Sequence, residues 1–175
     1  MALNIRKVDL AKYGPSDIFF LDTNVILYLH HPPSATSNHR KAGPYSNFIA
    51  KLRQRGCSLR VSSFNIQEVF HVVETLAHDV YQKSSGMNVS RKKFRLQNRY
   101  NISVAQASLW NQLKANYCIE NAIINQTMLE SFIKDYNRHF YDPIDYLFTK
   151  NHPTCNIITS DQDFSSDPAI TIFSY

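Results

Sequence analysis

The stretch Ile18–Phe19–Phe20–Leu21–Asp22–Thr23–Asn24–Val25–Ile26–Leu27 constrains this chain more than any other. Four consecutive large apolar residues read as a strand buried on both faces, the pattern of an inner strand in a parallel sheet. A carboxylate follows at once, then Thr23 and Asn24, then apolar residues at helical spacing. An ionised Asp at the mouth of such a strand loses hydration and needs donors or a cation to offset that loss. In open α/β sheets this mouth, at the carboxyl end of the strands, is where ligands bind. Asp22 is therefore either a turn residue capping the next helix or one wall of a site, and the rest of the chain decides between them.

After Asn24–His31, a short helix, His31–Pro32–Pro33–Ser34 stops the pattern and the segment to Gly43 reads as loop. Pro44 predicts a first helical residue, with Tyr45–Arg55 following and Gly56 closing. Cys57–Val61 is a second strand candidate. Beyond Ser62–Ser63–Phe64–Asn65 a long helix to about Tyr81 carries Ile66, Val69, Phe70, Val73, Ala77 and Val80 as its apolar stripe, with Glu68 on the other face. Ser103–Tyr117 predicts an amphipathic helix, Cys118–Ile124 a short strand and Gln126–Arg138 a helix. Asp142 reads as an N-cap with Pro143 first in another helix. Cys155–Thr159 is a strand, and Ala169–Phe173 a last, edge-like one. Strands alternating with helices predict a single α/β domain over 1–175, with helices on both faces of a central, mostly parallel sheet of four to five strands.

That architecture gathers acids. Ile18–Leu21 and Asn156–Thr159 are each followed by an acid, Asp22 and Asp161, on the same rim of a parallel sheet. Glu68 and Asp142 sit near the starts of helices, which face that rim too. Asp145 and Asp163 lie close enough in sequence to join. Each acid has an ordinary alternative: Asp22 and Asp142 as helix caps, Asn65-x-x-Glu68 as a capping box, Asp161 and Asp163 as turn residues. Taken together they point to one site, because independent structural reasons would each have to put an acid on one edge. Crowded carboxylates repel and raise each other's pKa, and a hard divalent cation removes the repulsion. Such a site suits metal-assisted hydrolysis of a phosphodiester, with a carboxylate placing or deprotonating the attacking water.

Leu21–Asp22–Thr23–Asn24–Val25, Ser63-x4-Glu68–Val69, Phe140–Tyr141–Asp142 and Ile158–Thr159–Ser160–Asp161–Gln162–Asp163–Phe164 stand in an order that resembles the PIN-domain nucleases, from about Ile18 onward. The resemblance implies a three-layer α/β/α fold, dependence on Mg²⁺ or Mn²⁺, and endoribonuclease activity. Carried onto this chain, it makes Asp22, Glu68, Asp142 and Asp161 the catalytic acids. Asp22, Asp142 and Asp161 would hold metal, with Asp163 and Asp145 as further ligands or supports. Asp142 and Asp145 both fit the third acid: Asp142 follows aromatic residues, and Asp145 precedes Tyr146–Leu147–Phe148. Thr23, Asn24 and Ser160 would orient carboxylates or waters by hydrogen bonds. The VapC-type toxins within the family pair with an antitoxin and often dimerise, so an antitoxin and a second copy join RNA as candidate partners.

The chain's balance is basic, with 19 Lys and Arg against 14 Asp and Glu, and it favours polyanionic partners. Over 82–100 no acid occurs, while Arg91, Lys92, Lys93 and Arg95 cluster there. This exposed segment is either a solvated face or a strip for RNA, with Phe94 and Tyr100 as stacking surfaces. The His residues, among them His30, His31, His71 and His78, read as surface or partly buried rather than as a metal set. Three scattered Cys predict a reducing compartment. No secretory signal and no run of roughly 20 apolar residues appears, which predicts a soluble cytoplasmic protein. A phosphatase of the HAD type needs Asp-x-Asp after its first strand, and Asn24 stands in the third position here. The remaining rival is a PIN-fold module that binds RNA or protein without cutting.

Overall fold

The computed structural model describes residues 2–30, 39–121, 125–135, 156–161, 164 and 170–175. Its six strands are β1 (Leu3–Asn4), β2 (Ile18–Leu21), β3 (Ser58–Ser62), β4 (Cys118–Glu120), β5 (Asn156–Ile158) and β6 (Thr171–Ser174). Its helices are α1 (Thr23–His30), α2 (His39–Gln54), α3 (Ser63–Ser85), α4 (Arg91–Gln97), α5 (Arg99–Asn116) and α6 (Gln126–Asp135). All strand pairs are parallel, in the order β1-β6-β5-β2-β3-β4. The α/β class and the parallel sheet are as expected. The strand number is six rather than four to five, because β1, only two residues long, adds to β6 through Leu3↔Phe173 and Asn4↔Ser174. The last strand is consequently not an edge.

β2 is central, and its side chains show why. Phe19 and Leu21 pack into a core with Val25, Ile26, Tyr45, Phe48, Leu52, Leu59, Val61, Val69, Leu113 and Phe173. Phe20 points the other way, among Ile157, Phe164, Ile170 and Ile172. This period-two split explains why an unbroken apolar run was needed. Phe19 stacks edge-on against Tyr13 and Phe173 at 5.3 and 5.2 Å between ring centroids, a favoured aromatic geometry.

The helices depart from expectation in places that matter. α2 begins at His39 and carries Pro44 inside it. Proline's fixed φ is helical, so the loss is one backbone bond to Arg40, at an exposed end of the helix where water can take that carbonyl. Ser62 is the N-cap of α3, its hydroxyl accepting from the Phe64 N–H at 3.0 Å. α3 runs on to Ser85, where Gly86 closes it at φ 67°, a left-handed conformation that favours glycine. α4 then folds back onto α3, and Phe94 becomes buried. His78 is also buried, its Nε2 2.6 Å from the Val89 carbonyl and its ring 5.2 Å from that of Phe94. The expected stripe on α3 holds for Ile66, Val69 and Val73, Phe70 is half-buried, and Ala77 and Val80 are exposed. No helix among the described residues is long and apolar enough to cross a membrane.

Candidate functional site

From β2 the chain moves outward to β3 and β4, then returns to the other side of β2 as β5. The carboxyl ends of β2 and β5 therefore flank the point where the winding reverses, the preferred place for a ligand crevice. Asp22 is the first residue beyond β2. Its N–H still bonds the Ile158 carbonyl of β5 at 3.1 Å, so it is fixed as if it were part of the sheet. Thr159, Ser160 and Asp161 leave β5 beside it. α1 and α3 start on the same rim, directly after β2 and β3.

The Asp22 side chain is 8% exposed and tightly oriented. Its Oδ1 accepts from the Thr23 N–H at 2.6 Å. Its Oδ2 accepts from Asn24 Nδ2 and from Thr159 Oγ1, both at 2.6 Å. A carboxylate offers about four lone-pair positions, so Oδ2 is saturated and Oδ1 keeps one open. Burial pushes the Asp22 pKa up to about 7, the Thr159 and Thr23 bonds pull it down, and the negative fields of Glu68 and Asp161 push it up again. Those fields place three of the expected acids in one neighbourhood.

Thr23 Oγ1 donates to Glu68 Oε2 at 2.5 Å, tying α1 to α3. Because Ser62 is the cap, Glu68 is not the second half of a capping box. It lies on the half-buried flank of α3 that meets the rim, not on the opposite face. Asn24 bonds in two directions, its Oδ1 accepting from the Ser160 N–H at 3.1 Å. Ser160 Oγ lies 3.1 Å from the Tyr28 hydroxyl. Asp161 is exposed, and its N–H donates to Thr159 Oγ1 at 2.8 Å. The structure thus brings Asp22, Thr23, Asn24, Glu68, Ser160 and Asp161 together. Asp142, Asp145 and Asp163 lie outside the described residues.

Two participants escaped the sequence reading. Thr159 is wholly buried and bridges Asp22 to the Asp161 backbone; it stands in the Ile158–Phe164 motif, which by itself assigns it no role of its own. Asn65 is 4% exposed, and its Nδ2 donates to Thr23 Oγ1 at 3.3 Å. Its place three residues before Glu68 pointed to a capping box instead.

The donor set suits a hard divalent cation. All its acids are carboxylates, Asp22 has no cationic side chain bonded to it among the described residues, and one Oδ1 lone pair stays open. No group of three or more His, Cys, Asp or Glu side chains among the described residues stands close enough to hold a metal by itself.

The basic segment folds differently from a free strip. Arg95 grips Glu74 of α3 through Nε and Nη2 at 2.9 and 2.6 Å, and Phe94 is 3% exposed, so it offers no stacking surface. Arg91, Lys92 and Lys93 are exposed, as is Tyr100.

This arrangement is similar in fold to a chain from VapBC2 of Rickettsia felis, crystallised bound to a DNA fragment from their promoter. The TM-score is 0.53 at 14% identity, over 89% of this chain and 96% of that one. The likeness is one of fold. No family model and no curated protein matches the sequence.

Proposed function

We propose that this chain is a PIN-like, Mg²⁺- or Mn²⁺-dependent endoribonuclease that hydrolyses RNA phosphodiester bonds. The observation that carries the reading is Asp22: a buried carboxyl at the switch point of a parallel sheet, its pKa pushed up to about 7 chiefly by burial and secondarily by the fields of Glu68 and Asp161. Three donors offset only part of the cost of burying this acid, and a bound cation would offset the rest. Asp22 and Asp161 would hold the cation, with Asp142, Asp145 and Asp163 as the further acids of the set. When bound, the ion supplies charge neutralisation at the phosphodiester and a lowered pKa for water.

The chain's own residues do the positioning. Thr23 N–H, Asn24 and Thr159 hold the Asp22 carboxyl and leave one Oδ1 lone pair open. Glu68, held by Thr23, is the group that places the attacking water and takes its proton as the water oxygen bonds to phosphorus; the P–O bond to the leaving oxygen breaks, and that oxygen takes up a proton from solvent. Asn24 also holds the Ser160 backbone, which fixes how Asp161 leaves β5.

The VapBC2 likeness favours a protein partner of the antitoxin kind, and a second copy of this chain stays a candidate through the family resemblance alone. Cleavage of generic single-stranded RNA with Mn²⁺ tests the reading. Wild type should cut, EDTA should stop it, and Asp22→Asn should abolish it while leaving the fold intact. Cleavage that survives in EDTA or in Asp22→Asn contradicts the mechanism. Metal-dependent RNA binding without cleavage favours the silent binding module instead.

A further inference from the structure

Asn65 lies three residues before Glu68 on α3, so the two side chains share a face of the helix. It is buried, yet its Oδ1 has no hydrogen-bond partner; among the described residues it is the one buried side-chain nitrogen or oxygen in that state. Its Nδ2 donates to Thr23 Oγ1. That hydroxyl has a single proton, which it gives to Glu68 Oε2. Turning the amide over would set Oδ1 against an oxygen whose proton is already committed and would leave a buried N–H unmet. The amide therefore has one sensible orientation, and in it the chain runs Asn65 to Thr23 to Glu68.

An unpaired buried amide oxygen is costly, and an apolar side chain of the same length would avoid it. A helix cap does not account for Asn65, because Ser62 already serves α3. What the amide provides is direction. With Asn65 Nδ2 occupying one lone pair of the Thr23 hydroxyl, the proton of that hydroxyl is turned toward Glu68, and a donor at one end of such a chain strengthens the bond at the other.

We infer that Asn65 is a positioning residue of this site: through the Thr23 hydroxyl it fixes the orientation in which Glu68 presents its carboxyl group. The inference rests on the hydrolytic reading for its consequence in catalysis, but the relay itself is a property of the metal-free protein.

Asn65→Leu and Thr23→Val test it, alone and combined. In metal-free protein the ¹³Cδ resonance of Glu68 should move in Asn65→Leu, and Thr23→Val should absorb that effect, so that the double variant matches Thr23→Val alone. The thermal midpoint of Asn65→Leu should stay at or above that of wild type, because the orphaned oxygen is gone. In Mn²⁺-supported RNA cleavage, kcat should fall about tenfold with KM retained, as expected when a group acting only in the transition state is disoriented. An unmoved Glu68 resonance, or an Asn65→Leu variant with full kcat, overturns the inference. A lowered midpoint with additive effects of the two substitutions also overturns it, since Asn65 would then be an ordinary structural amide. A wild type that does not cut RNA, with the Glu68 resonance moving as stated, ends the hydrolytic reading and leaves the positioning relay standing.

Discussion

Removing the charge at Asp22 has a consequence that does not require knowing the substrate. In the folded, cation-free protein its pKa stands near 7 instead of 3.8. A folded-state pKa above the unfolded one means that the native state holds the proton more tightly. Stability from this group is then complete below about pH 3.8 and is lost as pH rises through 7. At about 1.36 kcal/mol per pH unit of separation, the loss is about 4 kcal/mol. For a domain of this length that is roughly 8–16 °C in thermal midpoint. Asp22→Asn removes the titration. It also sets an amide donor against Asn24 or Thr159, but that penalty does not vary with pH. The measurement is thermal or urea unfolding in EDTA from pH 4 to 8, read as the difference between wild type and Asp22→Asn. Wild type should lose ground steadily against the variant between pH 4 and 7, and saturating Mn²⁺ at pH 8 should restore wild type alone. Parallel stability curves would refute the assignment of Asp22 as a buried, unfavourably ionised acid.

Thr159→Val removes the donor to Asp22 Oδ2 and the acceptor of the Asp161 N–H. It should cost about 1–3 kcal/mol in unfolding experiments, and it should move the acid limb of the pH–rate profile to higher pH, because that hydroxyl lowers the Asp22 pKa. An unmoved limb would contradict the role given to Thr159. Arg91→Ala, Lys92→Ala and Lys93→Ala combined should weaken single-stranded RNA binding and reduce the slope of log K against log salt by about 2, at roughly 0.7 per lost phosphate contact. Arg95 is left out because it is bonded to Glu74. An unchanged slope removes this face from RNA binding.

Much of the fold was legible because its central features are local. A four-residue apolar run followed by Asp marks an inner strand and its mouth, and the helix that follows is written in Val25 and Ile26. What was illegible depends on distant partners. β1 is two residues long, too short for any period to show, and exists because β6 offers an edge. Phe94 reads as a stacking surface in a run of cations until α4 folds it against Tyr81 and His78. Val80 completes a helical stripe by spacing, yet among the described residues nothing packs over it and it is exposed. In the site, the acids stood out by charge, whereas Thr159 and Asn65 carry no charge and declare themselves only through contacts made across 137 and 42 residues of chain. Glu68 was read as a cap candidate because Asn65 stands where a cap might; the true cap, Ser62, is also the last residue of β3, so one residue serves both elements.

The central proposal, that Asp22 and Asp161 share one divalent cation beside Glu68, is most directly tested by Mn²⁺ titration calorimetry of the full chain at pH 7, repeated in two buffers of different ionisation enthalpy. Wild type should bind Mn²⁺ and release about half a proton, since a carboxyl with its pKa near 7 must ionise to bind. Asp22→Asn should lose at least tenfold in affinity together with the proton release. Mn²⁺ binding of equal strength in the variant, or none in wild type, would contradict the account.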